Sequence, residues 1–199
     1  MRIRDNRSSR NLFLGLGFLC LVLFSFSILA YASYSREGSY PAEIWDISDG
    51  EYEPVVKELL NDAKESIVIS VYIMPTGGKE TVKLIMKDIE KALDRGVSVE
   101  IYMNTRFIPK SADGAPGKEI FGELREKGAK IFAVTHSTHL HDKLILVDER
   151  YMVTGGIDWS VPDPNDHYGS STLIDSPELV GESLARRRNF PLEGGSQRK

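Results

Sequence analysis

The order of apolar and polar positions divides the chain into one long uncharged run, a series of short alternating elements and a polar end. From Leu12 to Ala32 no residue is charged, and a helix of that length spans the hydrocarbon core of a membrane. A polar linker follows at 33–40, and Ile44-Trp45-Asp46-Ile47 predicts a first short strand. Between 53 and 64, Val56, Leu59, Leu60 and Ala63 recur at helical spacing, whereas Ser66 to Met74 is β-branched and almost wholly apolar, the pattern of a strand buried on both faces. Glu80 to Arg95 is the clearest amphipathic helix, with Val82, Ile85, Met86, Ile89, Ala92 and Leu93 on one face, and Gly96 stops it. A strand over 97–103, a Gly- and Pro-rich loop over 105–117, a short helix over 118–127 ended by Gly128 and a strand over 130–134 come next. Then a hairpin is predicted: apolar Leu144 to Val147, a turn at Asp148-Glu149-Arg150 and a second short strand running to Gly155-Gly156. An edge strand over 170–174 and a helix over 177–188 close the fold, and 189–199 reads as a disordered tail. The closing helix has proline in its first turn and three arginines at its end, where they suit the macrodipole.

Strands that alternate with helices of this length imply parallel pairing through crossovers, with functional loops at the C-terminal ends of the strands. The expected architecture is therefore α/β, a mixed, mostly parallel sheet flanked by helices, built from residues 41–188. Trp45 and Trp159 read as core or pocket wall, because no interleaving of basic and aromatic residues surrounds them.

Charge adds a direction. Of 25 basic and 29 acidic residues, four Arg and one Asp fall in 1–32, which leaves 21 basic and 28 acidic for the rest. Positive flanks stay cytoplasmic, so the basic stretch 1–11 predicts insertion of 12–32 as a single-pass transmembrane anchor with the C-terminal domain outside the cytoplasm. Ala30-Tyr31-Ala32 has the small-x-small form of a cleavage site, and cleavage there would make 12–32 a signal segment and the domain a secreted one. A body this acidic is no generic polyanion binder. Cys20 is the one cysteine and lies in the apolar run, so no disulfide framework or thiolate metal site is available.

The residues that carry chemistry cluster before and within the hairpin. Three of the four histidines, His136, His139 and His141, fall within six residues, and Lys143 follows at once. On a strand, residues two apart share a face, so His141 and Lys143 would project together while Asp142 points the other way. Lysine offers a point charge to a phosphate oxygen, and an imidazole can attack phosphorus or exchange a proton with the leaving oxygen, neither of which needs a metal. Gly155 and Gly156 would let backbone come close to a ligand. A zinc site on His136, His139 and His141 is the sharper rival, but the His-x-His-x-Asp-His pattern fails after Asp142, with Lys143 and Leu144 where Asp and His are needed. His136, His139 and His167 read instead as loop histidines. Gly77-Gly78-Lys79 lacks the spacing of a phosphate loop.

His141-x-Lys143, four residues, Asp148, six residues and Gly155-Gly156-x-Asp158 resembles the HKD signature of the phospholipase D superfamily, His-x-Lys-x4-Asp-x6-Gly-Gly/Ser-x-Asn. The likeness runs over about 41–188 and is to the small members with one motif per chain. It implies a phospholipase D-like fold and a metal- and cofactor-independent phosphodiesterase. His141 would be nucleophile or general acid, Lys143 a phosphate ligand, Asp148 a hairpin-stabilising or supporting residue, and Gly155, Gly156 and Asp158 the substrate-binding wall. Because that chemistry uses two histidines and this chain has one copy, the resemblance implies a homodimer that joins two His141 side chains across an isologous interface. A phospholipid or a single-stranded nucleic acid would be the substrate, with the membrane reached through the N-terminal helix. Asp158 departs from the family's asparagine, and a carboxylate facing a phosphodiester repels it unless protonated or turned aside. The alternative reading is accordingly a catalytically weak or inactive membrane-tethered module of the same fold that binds phosphate or lipid.

Overall fold

Strand β5 (Lys143–Val147) lies at the centre of the domain, and its neighbours explain the rest. The computed structural model describes residues 38–72, 80–104, 118–135, 140–156 and 169–192, with side-chain detail omitted at 80–82 and 118–120. Pro41–Lys199 forms a compact unit of its own. Its elements run β1 (Glu43–Asp46), a short 3-10 turn (Asp49–Glu51), α1 (Tyr52–Asp62), β2 (Ser66–Val71), α2 (Glu80–Asp94), β3 (Ser98–Asn104), α3 (Lys118–Glu126), β4 (Lys130–Val134), β5, β6 (Tyr151–Gly155), β7 (Ser171–Asp175) and α4 (Pro177–Arg188). The anchor or signal segment and the 189–199 tail expected from sequence lie wholly or mostly outside the described residues. Among the described residues no helix is long and apolar enough to cross a membrane.

The strands form one seven-stranded sheet in the order β1-β7-β6-β5-β2-β3-β4. The sheet is mixed, as expected, but it is not mostly parallel. β2, β3 and β4 pair in parallel, whereas β2 with β5, β5 with β6, β6 with β7 and β7 with β1 are antiparallel. The crossover rule holds only where a helix separates the strands, from β2 to β4. After β4 the described residues hold no helix before β5, and β5 runs beside β2 in the opposite sense. The expected edge strand β7 is also internal, because β1 pairs along it and takes the edge itself. That edge is exposed throughout, with Ile44 65% and Trp45 43% accessible, and Trp45 lines a surface hollow with Tyr151, Leu173 and Leu59.

Alternation along the strands sorts side chains into two cores. Ile67, Ile69 and Val71 of β2 with Ile145 and Val147 of β5 pack beneath Val56 and Leu60 of α1, Ile85 and Ile89 of α2 and Phe121 and Leu124 of α3. The opposite parity, Val68, Leu144, Leu146 and Met152, packs with Val180 of α4. Strand β5 is thus buried on both faces, and its run of Leu, Ile, Leu and Val has no polar alternation to spare. Ser176 caps α4, its hydroxyl accepting from the Leu179 N–H, and Pro177 stands in the first turn where a missing donor costs nothing.

The turn between β5 and β6 is where sequence expectation and structure agree most closely. Asp148 and Glu149 both take positive φ, 53° and 52°, as the mirror-image turn of a tight hairpin requires. Neither is glycine, so the strain must be met by contacts. The Asp148 carboxylate accepts backbone N–H bonds from Lys64 at 2.9 Å, Glu65 at 2.8 Å and Ser66 at 3.0 Å, which tie the hairpin tip to the start of β2. Partial burial works to raise its pKa, but the three donors together outweigh it and hold the carboxyl below its ordinary 3.8. A folded-state pKa that is depressed contributes stability present above the unfolded value and lost as pH falls through the folded one. Asp148→Ala should therefore lower stability by about 2 kcal/mol at neutral pH. Urea unfolding at a series of pH values should show the gap from the native protein closing as pH drops below about 4, the region of the ordinary carboxylate value. A gap that stays constant with pH would contradict this assignment.

Candidate active site

Two parallel strands and one antiparallel strand bring the site together at one end of the sheet. Lys143 stands opposite Val71, the last residue of β2, and the ladder continues one step further, with the Tyr72 N–H donating to the Asp142 carbonyl at 2.9 Å. The N-terminal end of β5 thus meets the C-terminal end of β2, the position at which open α/β sheets present their loops.

His141 and Lys143 both line a cleft of about 420 Å³ at this end, together with Thr154, Gly155 and Gly156 of β6 and its end and with Leu179, Ser183, Arg186 and Arg187 of α4. Strand β5 begins at Lys143, so the pleat alone does not orient His141. Its ring packs instead at a tilt against Tyr72, with centroids 4.7 Å apart, and the side chain remains exposed. Leu140, buried at 5%, fixes the backbone immediately before it. An exposed imidazole steadied on one side by an aromatic ring can reach a ligand in the cleft, and Lys143 brings positive charge to the same wall.

Asp142 was expected to point away from His141 and Lys143, yet it lines the same cleft, at its α4 wall. Its Oδ2 accepts from the Ser70 hydroxyl at 2.8 Å and from the Arg187 guanidinium at 2.6 Å. Arg187 is only 2% exposed, and its Nη1 also donates to the Ser183 carbonyl and hydroxyl at 2.7 and 2.6 Å. Burial pulls the Arg187 pKa down, while the charge of Asp142 opposes that pull. All three arginines do stand in the last turn of α4, where they suit its macrodipole, but Arg187 is also folded back into the domain onto Asp142. The signal was present in the spacing: Val180, Ser183 and Arg187 lie three and four residues apart, on the buried stripe of the helix. Tyr72, Ser70, Thr154 and Arg186 are likewise site residues that motif spacing does not reveal.

The other expected residues divide. Asp148 lies at the far end of β5 from His141, seven residues on and so roughly 23 Å away at the rise of an extended strand, and its carboxylate is engaged by the three backbone donors already described. Asp158, with His136, His139, His167 and Trp159, lies outside the described residues. Among the described residues, no cluster of three His, Cys, Asp or Glu side chains is arranged to hold a metal ion. Gly155 and Gly156 do line the cleft, but their small size serves different neighbours. A Cβ on Gly155 would lie 2.5 Å from the Ser170 carbonyl oxygen and from Ser171 of β7, so this glycine admits protein backbone rather than ligand. One on Gly156 would meet the Ser170 oxygen at an ordinary 3.6 Å, and the Gly156 N–H already donates to that oxygen at 2.7 Å.

Residues 56–186 match the family described as cardiolipin synthase, PLD-like domain. The chain belongs to the phospholipase D superfamily. No curated protein matches it. Solved structures of the same fold include Nuc, a phospholipase D family member from Salmonella typhimurium. It is 20% identical, with a TM-score of 0.59 over 75% of this chain and 94% of that one. NucT from Helicobacter pylori is 13% identical, with a TM-score of 0.57 over 76% of this chain and 96% of that one. Phosphatidylserine synthase from Haemophilus influenzae is 15% identical, with a TM-score of 0.60 over 79% of this chain and 40% of that chain. The phospholipase D-like fold inferred from the spacing of His141, Lys143, Asp148 and the paired glycines is thereby established, and it supports a phosphodiesterase-type activity in general terms.

The two glycines should respond differently to a methyl group. Gly155→Ala is expected to cost about 2 kcal/mol, because backbone atoms of β7 cannot step aside as a flexible side chain would. Gly156→Ala should change stability by less than about 0.5 kcal/mol. Thermal unfolding of the two variants side by side checks this, and equal shifts would remove the packing role of Gly155.

Proposed function

We propose that this chain is a metal-independent phosphodiester hydrolase that works through a phosphohistidine on His141, in an active site completed by a second copy of itself. The observation that carries the reading is the joint placement of exposed His141, Lys143 and the Gly155-Gly156 backbone around one cleft, in a chain of this superfamily. In the proposed first step, an imidazole nitrogen of His141 attacks phosphorus, a P–N bond forms, the P–O bond to the leaving group breaks, and the departing oxygen takes a proton from the imidazolium of the other copy's His141. In the second step, water attacks phosphorus, the P–N bond breaks, and the imidazole of the second copy accepts the proton released from water. Lys143 offsets the charge on the non-bridging oxygens throughout. Asp148 acts only through the hairpin, by keeping β5 against β2.

The substrate class is a phosphodiester of either a phospholipid or a single-stranded nucleic acid. The segment 12–32 would tether the domain to a membrane and place it outside the cytoplasm, or release it there after cleavage. Asp158 in place of asparagine favours a second reading, a tethered module of the same fold that binds phosphate or lipid without turnover.

Residues 33–199 should hydrolyse at least one of two substrates, phospholipid vesicles or single-stranded DNA, and EDTA should leave the rate unchanged. His141→Ala should lower it by a factor of about 1,000 or more. The active species should elute as a dimer. Its pH–rate profile should be bell-shaped, as for two coupled imidazoles of which one must be neutral and one protonated. A steep dependence of binding on salt would mark the nucleic acid and a shallow one the lipid. Rates abolished by EDTA, or retained in His141→Ala, would overturn the mechanism, and a folded dimer that binds phosphate without hydrolysing either substrate would establish the second reading.

A further inference from the structure

The residue between the histidine and the lysine of the motif is an aspartate, and its charge is a liability where it stands. Asp142 lines the same cleft as His141 and Lys143, with its side chain 35% exposed. A carboxylate there would repel a phosphodiester and compete for Lys143. What offsets it is a pair of contacts at the α4 wall of that cleft: the Ser70 hydroxyl at 2.8 Å and the Arg187 guanidinium at 2.6 Å, both ending on Oδ2. Arg187 is itself anchored, with Nη1 on the carbonyl and hydroxyl of Ser183 and its face 5.8 Å from the Phe190 ring. It is 2% exposed, and its Nε has no partner among the described residues. A cation buried this deeply is retained at a cost unless its partner needs it. Arg187 lies one residue past the family match, which spans 56–186.

We infer that Arg187 is a positioning residue for the phosphodiesterase site: it fixes the Asp142 carboxylate against the α4 wall of the cleft and neutralises it there. Two consequences follow for the neighbours of Asp142. The backbone on either side stays in register with the end of β2, where the Tyr72 N–H holds the Asp142 carbonyl at 2.9 Å. The cleft wall around His141 and Lys143 keeps a net positive character toward an anionic substrate. This inference rests on the hydrolase reading above, and it adds that the middle residue of the motif and the end of α4 function as one charge-paired unit.

A series that removes the counter-charge and then the charge tests it. Arg187→Gln leaves the carboxylate without its counter-charge and should lower kcat/KM by about 100-fold, the scale of a loss of orientation at a reacting centre. Part of that loss should be a rise in KM that shrinks with added salt, since it reflects repulsion across the cleft. Asp142→Asn combined with Arg187→Gln removes charge and counter-charge together and should recover at least about tenfold of the loss. Arg187→Lys, which keeps the charge but not the planar fork, should lie between the native protein and Arg187→Gln and should fold if Arg187→Gln does not. Binding of inorganic phosphate by calorimetry, read in the same four proteins, should follow the order of KM. A folded Arg187→Gln or Arg187→Lys protein with native kcat/KM, or a double variant no better than Arg187→Gln, would overturn the inference while leaving the hydrolase intact. Native protein that neither turns over a phosphodiester nor binds phosphate would instead remove the hydrolase reading, and this inference with it.

Discussion

Everything at the site depends on β5 entering the sheet antiparallel to β2 and being held there at both ends by a carboxylate. At the far end, Asp148 collects three backbone N–H groups from the start of β2. At the near end, Asp142 takes Ser70 of β2 and Arg187 of α4. Between them, four of the five residues of β5 are buried. A strand with apolar side chains on both faces has no pattern that distinguishes one face from the other, and a slip of one residue would exchange the two cores at little hydrophobic cost. The polar ends supply the specificity that the middle lacks, because each carboxylate finds its donors in only one register.

This arrangement gives the motif a division of labour. The positions separated by the length of β5 cannot share a chemical step, so the histidine and the aspartate five residues beyond the lysine support the site in different ways. One faces the cleft. The other fixes a turn in which two non-glycine residues sit at positive φ, and without that turn the strand carrying the lysine has no defined end. The glycines extend the same logic to the next strands: Gly155 has no side chain because β7 passes where one would be, which sets the height of the cleft wall.

The elements themselves were legible in the chain. Helical spacing in α1 and α2, the uninterrupted apolar run of β2 and the turn at Asp148 are local patterns, and local patterns survive folding. Pairing is not local. The alternation of β2, α2, β3, α3 and β4 is correctly read as parallel, but nothing in the residues of β5 or β7 states which neighbour each will choose or in which sense, and the mostly parallel sheet was the result of extending one rule past its last helix. The site shows the same limit. His141 and Lys143 are visible because their spacing is fixed by sequence. Arg187 makes its contact across 45 positions, and only its place on the buried stripe of α4 gave it away. Asp142 could be read as facing away from the site, whereas it lines the cleft against a cation.

The exposed edge of the sheet has a mechanical consequence. β1 is the first element after residue 40, it pairs along only one side, and its four residues are all accessible. Tension that enters the domain from its N-terminal side therefore meets the strand whose loss disturbs the fewest neighbours. β1 can peel from β7 while β6, β5 and β2 keep their ladders, and two intact strands, β7 and β6, stand between that edge and the strand that carries Lys143. The domain is built so that strain from a tether would be spent at its margin.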